Sequence, residues 1–357
     1  MRYRIVFFFV FAFLSCKKPN YPHLAFYRWR VESNYQLSQR EDSILRHFNT
    51  KELYIKVMDI DWDDLYGASP ISIFPIERLS DHGQSIQSLH ITPVIFITNK
   101  AIDKTDSSGI DELAKKIVLK TKQLVQGKQN RSDFAEKIIE DTAVKYNEIQ
   151  LDCDWTASTQ KKYFRLLSTI TRLAPGKLIS STLRLHQYKY PEKTGVPPVD
   201  EVYLMCYNTG DLKKLDGKNS IFDYTIAREY FDGTKVYPKK LNIALPAFDW
   251  TVIFKNNHFY KIDNSLGKDF YNDTMYVKEL PGSRYLIKND TVVNNNFLRK
   301  GDILKWEKVS NEDMLLAAKL CSNAVNSNSF KIVFYDIDKI QKENYDAVQK
   351  AFNYFMR

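Results

Sequence analysis

Eight short β-rich segments recur along this chain, and most of the stretches between them carry a helical repeat; no other feature limits its possible folds as much. In order they are Leu24–Arg30, Leu53–Asp61, Thr92–Asn99, Glu148–Asp154, Lys177–Leu185, Glu201–Tyr207, Lys239–Phe248 and Phe330–Asp338. Helices are expected over Ser38–Phe48, Gly109–Gln126, Ser132–Tyr146, Thr159–Ala174, Asp223–Phe231 and Asn311–Asn323. Leu37, Ile44, Leu45 and Phe48 share one face around the first helix, and Phe134, Ile138, Ile139 and Val144 share one face of the third. Strands that alternate with helices pair in parallel, and eight of them close into a (β/α)8 barrel. An open doubly wound sheet is the rival. It lacks support, because the chain has no GxGxxG loop and only 12 glycines.

The alternation breaks once, before the last strand. His258–Ile262, Thr274–Leu280, Ser283–Lys288 and Asp302–Val309 read as short strands separated by Asn, Asp and Gly turns. Residues 255–309 are therefore expected to form a small β-rich insertion on the loop face of a barrel that runs from 23 to 357.

The first residues point to export. Arg2 and Arg4 precede an apolar run, Ile5–Phe13, far shorter than the roughly 20 residues a spanning helix needs. The run ends Leu14-Ser15-Cys16 and resembles the lipobox of bacterial lipoproteins, in which the Cys is lipidated and becomes the mature N-terminus. Residues 1–16 are then leader and lipobox, 17–22 a tether, and the protein is expected to be exported and lipid-anchored to the bacterial cell envelope, at the outer membrane. The formal charge is +9, and +7 without the two leader arginines. Its Lys and Arg are spread along the chain with no nucleic-acid-binding motif, so no nucleic-acid partner is expected. Cys153, Cys206 and Cys321 are an odd number of thiols in apolar segments, expected to be buried and free rather than a disulfide framework. The six histidines show no metal-ligand spacing, and neither metal nor cofactor is called for.

Barrel chemistry sits at the C-terminal ends of the strands, on side chains that alternate inward. In Glu148-Ile149-Gln150-Leu151-Asp152-Cys153-Asp154, the residues Gln150, Asp152 and Asp154 share the inward face. Two carboxylates at i and i+2 lie about 6–7 Å apart by the strand rise. In a partly dry site they repel, and one keeps its proton near neutral pH, as a general acid requires. On the fifth strand Ser180, Thr182, Arg184 and His186 share a polar face; on the sixth, Tyr203, Met205 and Tyr207 share one, with Asn208 following. The seventh ends Phe248-Asp249-Trp250, an aromatic and carboxylate pair. Asp59 and Asp61 on the second strand and Arg28 on the first are further candidates for holding a sugar, Arg28 suiting an acidic one.

These motifs are similar to the family 18 glycoside hydrolases, the chitinase and endo-N-acetylglucosaminidase group. That family carries D-x-x-D-x-D-x-E on strand four, where this chain has Asn147, Gln150, Asp152 and Asp154. Its M-x-Y-D on strand six is Met205-Cys206-Tyr207-Asn208 here, and its Leu-Pro with a following aromatic on strand seven is Leu245-Pro246-Ala247-Phe248. The family also often inserts a small α/β domain between strands seven and eight. The resemblance implies Asp154 as the acid on the glycosidic oxygen, Asp152 orienting the substrate's acetamido group, which acts as nucleophile, and Tyr207 bonding the reacting ring. The departures are the acid, shorter by one methylene as Asp, and the Asn and Gln at flanking acidic positions. Two readings follow: a membrane-anchored enzyme cleaving a glycan or glycoconjugate, or a non-catalytic barrel that binds a glycan or a protein.

Overall fold

The computed structural model describes residues 20–30, 37–76, 89–126 and 146–356. The leader and Cys16, residues 17–19 of the tether, and the helix expected over Ser132–Tyr146 apart from its last residue lie outside these residues. Eight parallel strands close a (β/α)8 barrel: β1 (Tyr21–Arg28), β2 (Glu52–Asp63), β4 (His90–Ile97), β5 (Glu148–Asp152), β6 (Leu178–Arg184), β7 (Glu201–Met205), β8 (Lys240–Pro246) and β16 (Ser329–Tyr335). Pairing of β1 with both β16 and β2 shuts the ring. β1 begins at Tyr21, inside the expected tether, because Tyr21 and Pro22 pair with Ser329 and Phe330. The strand β3 (Gly67–Ile73), which the sequence pattern did not mark, returns antiparallel along the far end of β2.

Helices pack outside. They are α1 (Gln39–His47), α2 (Asn99–Lys104), α3 (Ile110–Gln126), α4 (Gln160–Leu173), α5 (Leu185–Lys189), α6 (Pro191–Thr194), α7 (Tyr224–Glu229), α8 (Lys268–Tyr271, in the insertion), α9 (Asn311–Ser322) and α10 (Tyr345–Asn353). Strand alternation explains both sides of the wall. Ile149 and Leu151 of β5 point outward and are fully buried, each contributing about 1.5–3 kcal/mol if that area is counted against water. Tyr163 of α4 donates to the Leu151 carbonyl (3.4 Å) and bonds Ser181 Oγ (2.8 Å), which sets α4 against β5 and β6.

The inward set of β5 builds polar layers. Glu148 sits lowest, accepting from Ser180 Oγ (2.6 Å), Lys331 Nζ (2.7 Å) and Tyr54 Oη (3.1 Å). One layer higher, Gln150 Oε1 accepts from Tyr27 Oη (2.7 Å). Asp152 forms the next layer, at the mouth. A charged, tyrosine-rich lumen of this kind is stable only because its groups answer one another.

The insertion has its own sheet, in the order β10 (His258–Asp263), β9 (Asp249–Lys255), β15 (Ile303–Lys308), β12 (Arg284–Ile287), β11 (Val277–Leu280), all antiparallel. A hairpin of β13 (Thr291–Val293) and β14 (Asn296–Leu298) accompanies it. A separate core of Ile253, Leu266, Tyr271, Ile287 and Leu304 holds it together. The insertion sheet starts at Asp249 rather than 255, since Asp249 and Trp250 pair with Lys308 and Glu307. Cys153, Cys206 and Cys321 are buried free thiols. Among the described residues no helix is long and apolar enough to cross a membrane.

Candidate functional site

A cleft of about 580 Å³, its open mouth included, lies over the C-terminal ends of the barrel strands. Asp152, Asp154, Thr182, Arg184, Tyr207 and Asn208 line its polar side, with Met205 between them. Aromatic rings form the rest: Tyr27, Trp29, Phe96, Phe248, Trp250 and Tyr335. Those rings are contiguous. Trp29 meets Phe96 at 6.2 Å and Tyr335 at 5.4 Å, Tyr335 meets Phe248 at 4.9 Å, and Phe248 meets Trp250 at 5.3 Å between centroids. Flat apolar faces beside carboxylates suit a pyranose, whose C–H face stacks while its hydroxyls bond outward.

Each polar group is placed by local structure. Asp152, the last residue of β5, points inward and is 7% exposed; Thr182 Oγ1 donates to it at 2.6 Å. Burial, and then the charge of Asp154, push its carboxyl up to about 7, against the lesser pull of Thr182 and Arg184. Asp154 lies just beyond the strand, between two buried anchors, Cys153 and Trp155. Trp155 stacks on Tyr163 (5.3 Å) and donates Nε1–H to the Thr194 carbonyl (3.0 Å). Gly195, which follows that carbonyl, has φ +77°, and a Cβ there would meet Gln160 Nε2 at 1.9 Å, so glycine is required where this anchor is tied down. Gln187 joins the two strand ends: it accepts from the Arg184 backbone N–H (2.8 Å) and donates to the Trp155 carbonyl (3.0 Å). Arg184 Nη1 then stands 3.4 Å from Asp154 Oδ2.

Tyr207 is buried and stacks on Tyr335 (5.5 Å); burial first, then the Asp152 charge, hold its hydroxyl protonated well above its ordinary range. Asn208 takes a left-handed backbone (φ 57°), a conformation Asn tolerates, and its N–H bonds the Ile221 carbonyl (2.6 Å). Its buried Oδ1 has no hydrogen-bond partner among the described residues, so an acceptor is left for a ligand N–H or hydroxyl.

Other candidates fall elsewhere. Gln150 lies one layer beneath the cleft, under Tyr27. His186 is on α5, not on a strand, because β6 ends at Arg184 where Gln187 closes the turn; partial desolvation of its ring, and then the Arg184 charge, lower its pKa. Asp249 bonds Lys339 outside the cleft lining. Asp59 pairs with Lys56 (2.8 Å). Asp61 accepts from Thr98 Oγ1 (2.5 Å), a bond that lowers its pKa and tightens the α2 start. Arg28 is fully buried against Glu41 (3.5 Å) and the Phe74 ring, so it belongs to the wall rather than the cleft. Trp250 does line the cleft, but from the insertion strand β9, with Nε1–H on Glu307 (2.9 Å).

Sequence reasoning missed the walls contributed by Tyr27, Trp29, Phe96 and Tyr335. Outside the cleft lining, Asp336, right after Tyr335, is a buried carboxyl raised to about 7 by burial and then by Asp338. The available signal was a common one: an aromatic at a strand's C-terminal end.

No family model and no curated protein matches this sequence. Solved structures do. The chitinase from Chromobacterium violaceum ATCC 12472 superposes with a TM-score of 0.51 at 12% identity, over 93% of this chain and 99% of that one. The Bacillus cereus spore cortex-lytic enzyme SleL gives 0.49 at 13%, over 94% and 75%. A chitinase from Bacteroides thetaiotaomicron gives 0.48 at 11%, over 94% and 96%. At such identity the likeness is one of fold: this chain has the barrel of the Chromobacterium chitinase.

Proposed function

We propose that this protein is a glycoside hydrolase-like lipoprotein that cleaves a glycan by acid catalysis at Asp152 and Asp154. One observation carries the reading: a single open cleft gathers Asp152, Asp154, Arg184 and Tyr207 under a continuous aromatic wall. The C-terminal mouth of the barrel is where such folds work. In this reading Asp154, half exposed and facing the cleft, protonates the glycosidic oxygen. Asp152, which keeps its proton up to about pH 7, supplies the neighbouring acid and orients a substrate amide as the internal nucleophile. Tyr207 and Asn208 hydrogen-bond the sugar at the bond to be broken. The fold likeness to a chitinase supports a glycan as the ligand class.

A second reading has its own support. The Arg184–Asp154 ion pair and the short Asp side chain suit a barrel that binds a glycan without cutting it. Glycan release separates the two. The full chain in detergent, wild type and Asp154→Asn, is incubated with N-acetylglucosamine-containing polymers and glycopeptides, and products are read by mass spectrometry. Cleavage by the wild type that is lost in Asp154→Asn is the expected result. Binding without cleavage by either protein would move the assignment to the binding barrel.

The leader and lipobox support export and anchoring through Cys16 to the outer membrane. The intact mass of the mature chain checks this: a protein starting at Cys16 and carrying acyl chains is expected, and an unlipidated N-terminus would refute the anchor.

A further inference from the structure

Among the described residues Arg184 is the one arginine on the cleft lining, and its role is not exhausted by its protein contacts. It ends β6, its backbone N–H is fixed by Gln187, and its side chain is 26% exposed at the mouth. A guanidinium has five N–H donors in a planar fork and cannot lose its charge. Here none of the five donates a hydrogen bond to the protein among the described residues; the charge is met only by Asp154 Oδ2, at 3.4 Å. Asp154 is itself 52% exposed. The contrast with Arg165 is informative. That arginine, on the outer surface, grips Asp111 with two hydrogen bonds of 3.1 and 2.8 Å. An arginine meant as a permanent clamp takes the second geometry. Arg184 has the first: one loose, solvent-facing ion pair of a kind that contributes little and exchanges easily.

We propose that the glycan bound in this cleft carries a carboxylate, and that Arg184 receives it, releasing Asp154. This rests on the cleft being a glycan site. Planar carboxylate and planar guanidinium match in a two-bond fork, which is a better contact than the one Arg184 now has. The charge balance allows it. Asp152 is neutral below about pH 7, so the mouth holds one anion, Asp154, and one cation, Arg184, before the ligand arrives. Lys56, whose charge reaches Asp152, is engaged by Asp59 (2.8 Å) and lies over the Trp29 ring (4.9 Å). The chain as a whole is basic, with a formal charge of +9, which draws anionic polymers to it. The partner exchange also has a consequence for the chemistry. While the pair is closed, Asp154 Oδ2 faces Arg184; once the substrate carboxylate takes the arginine, Asp154 Oδ2 is free to turn to the glycosidic oxygen. A ligand without the carboxylate leaves the pair closed.

Calorimetry tests this on the full chain in detergent, at pH 6 and low salt. Two tetrasaccharides are titrated, one whose alternate sugars bear a lactyl-ether carboxylate and one whose alternate sugars are hexuronic acids. Each is compared with the same compound after its carboxyls are amidated, and with the neutral N-acetylglucosamine tetramer. The wild type is expected to bind one carboxylated compound at least tenfold more tightly than its amidated form, and which of the two it prefers locates the carboxylate. In Arg184→Gln, with an unchanged near-ultraviolet circular dichroism spectrum, the two forms are expected to bind within twofold of each other. Equal binding of charged and amidated forms by the wild type, or a preference that survives Arg184→Gln, overturns the proposal while any glycan binding keeps the site's general assignment. Failure of the wild type to bind any of the compounds overturns both.

Discussion

Asp152→Asn and Asp154→Asn are each expected to lower glycan cleavage by about 10²–10⁴-fold, the usual contribution of a positioned acid or base, yet to move stability in different ways. The difference follows from burial. Asp152 has a folded-state pKa of about 7, raised first by desolvation and then by Asp154; in an unfolded chain an Asp titrates near ~3.9. Between those two values the folded protein holds a proton that the unfolded chain has released. Stability from this group therefore falls as pH rises from about 4 to about 7 and is level above and below that window. The full cost at pH 8 is on the order of 4 kcal/mol, from roughly three pH units at 1.36 kcal/mol each. Asparagine carries no charge and its Oδ1 still accepts from Thr182. Asp152→Asn is thus expected to match the wild type near pH 4 and to exceed it at pH 8, with several degrees in melting temperature as the readout. Asp336, also raised to about 7, adds the same slope to both proteins and cancels. Asp154 is half exposed, so its Asn variant is expected to change stability little. Urea titrations at pH 4, 6 and 8 decide it. An Asp152→Asn protein less stable than the wild type at pH 8 would mean that the carboxylate is not held in a dry site. A variant that gains stability while losing activity is the usual mark of a group kept for function.

The sequence reading reached the barrel because its evidence is local and repeated. β5 shows why: Glu148, Gln150 and Asp152 alternate with Ile149 and Leu151, and only one orientation buries the aliphatic pair against α4. The same alternation carried the fourth-strand carboxylates to the mouth. It failed where the chain turns. His186 continues the inward parity of β6 on paper, but one hydrogen bond from the Arg184 N–H to Gln187 ends the strand and starts α5, and parity has no meaning past that point. Strand β3 was invisible because Gly67, Ala68, Ser69 and Pro70 hold no apolar alternation; it forms by pairing on β2, a tertiary fact. The aromatic wall was hidden for a related reason. Trp29, Phe96 and Tyr335 come from strand ends far apart in sequence, and ring closure at β1, with β2 and β4 on one side and β16 on the other, brings them together. Trp29 was in view beside Arg28, but charge drew the assignment to the arginine, and the fold turned the aromatic inward instead.

That exchange of roles leads to the second large effect: Glu41→Ala is expected to cost about 3–5 kcal/mol, the range for removing one partner of a buried ion pair. Glu41 is fully buried and does two things at once. Its Oε2 accepts from the Ser38 N–H (2.8 Å) and Oγ (2.7 Å), closing the box that starts α1, and its Oε1 faces Arg28 Nε at 3.5 Å. Arg28 cannot shed its proton, so the truncated protein must bury the cation without Glu41. The cap alone accounts for about 1 kcal/mol of the loss. A double-variant cycle isolates the share that belongs to the Arg28–Glu41 pair. Arg28→Met with Glu41→Leu removes both charges and keeps the volume, so it is expected to recover most of the loss, as buried pairs exchanged for apolar residues commonly do. Denaturant unfolding measures the stabilities, and glycan binding by the double variant measures the role. Retained affinity in a protein without the Arg28 cation is expected from its place in the wall. An affinity loss of tenfold or more in a folded double variant would return Arg28 to the ligand and would require the barrel's first strand to meet the glycan through its arginine as well as through Trp29.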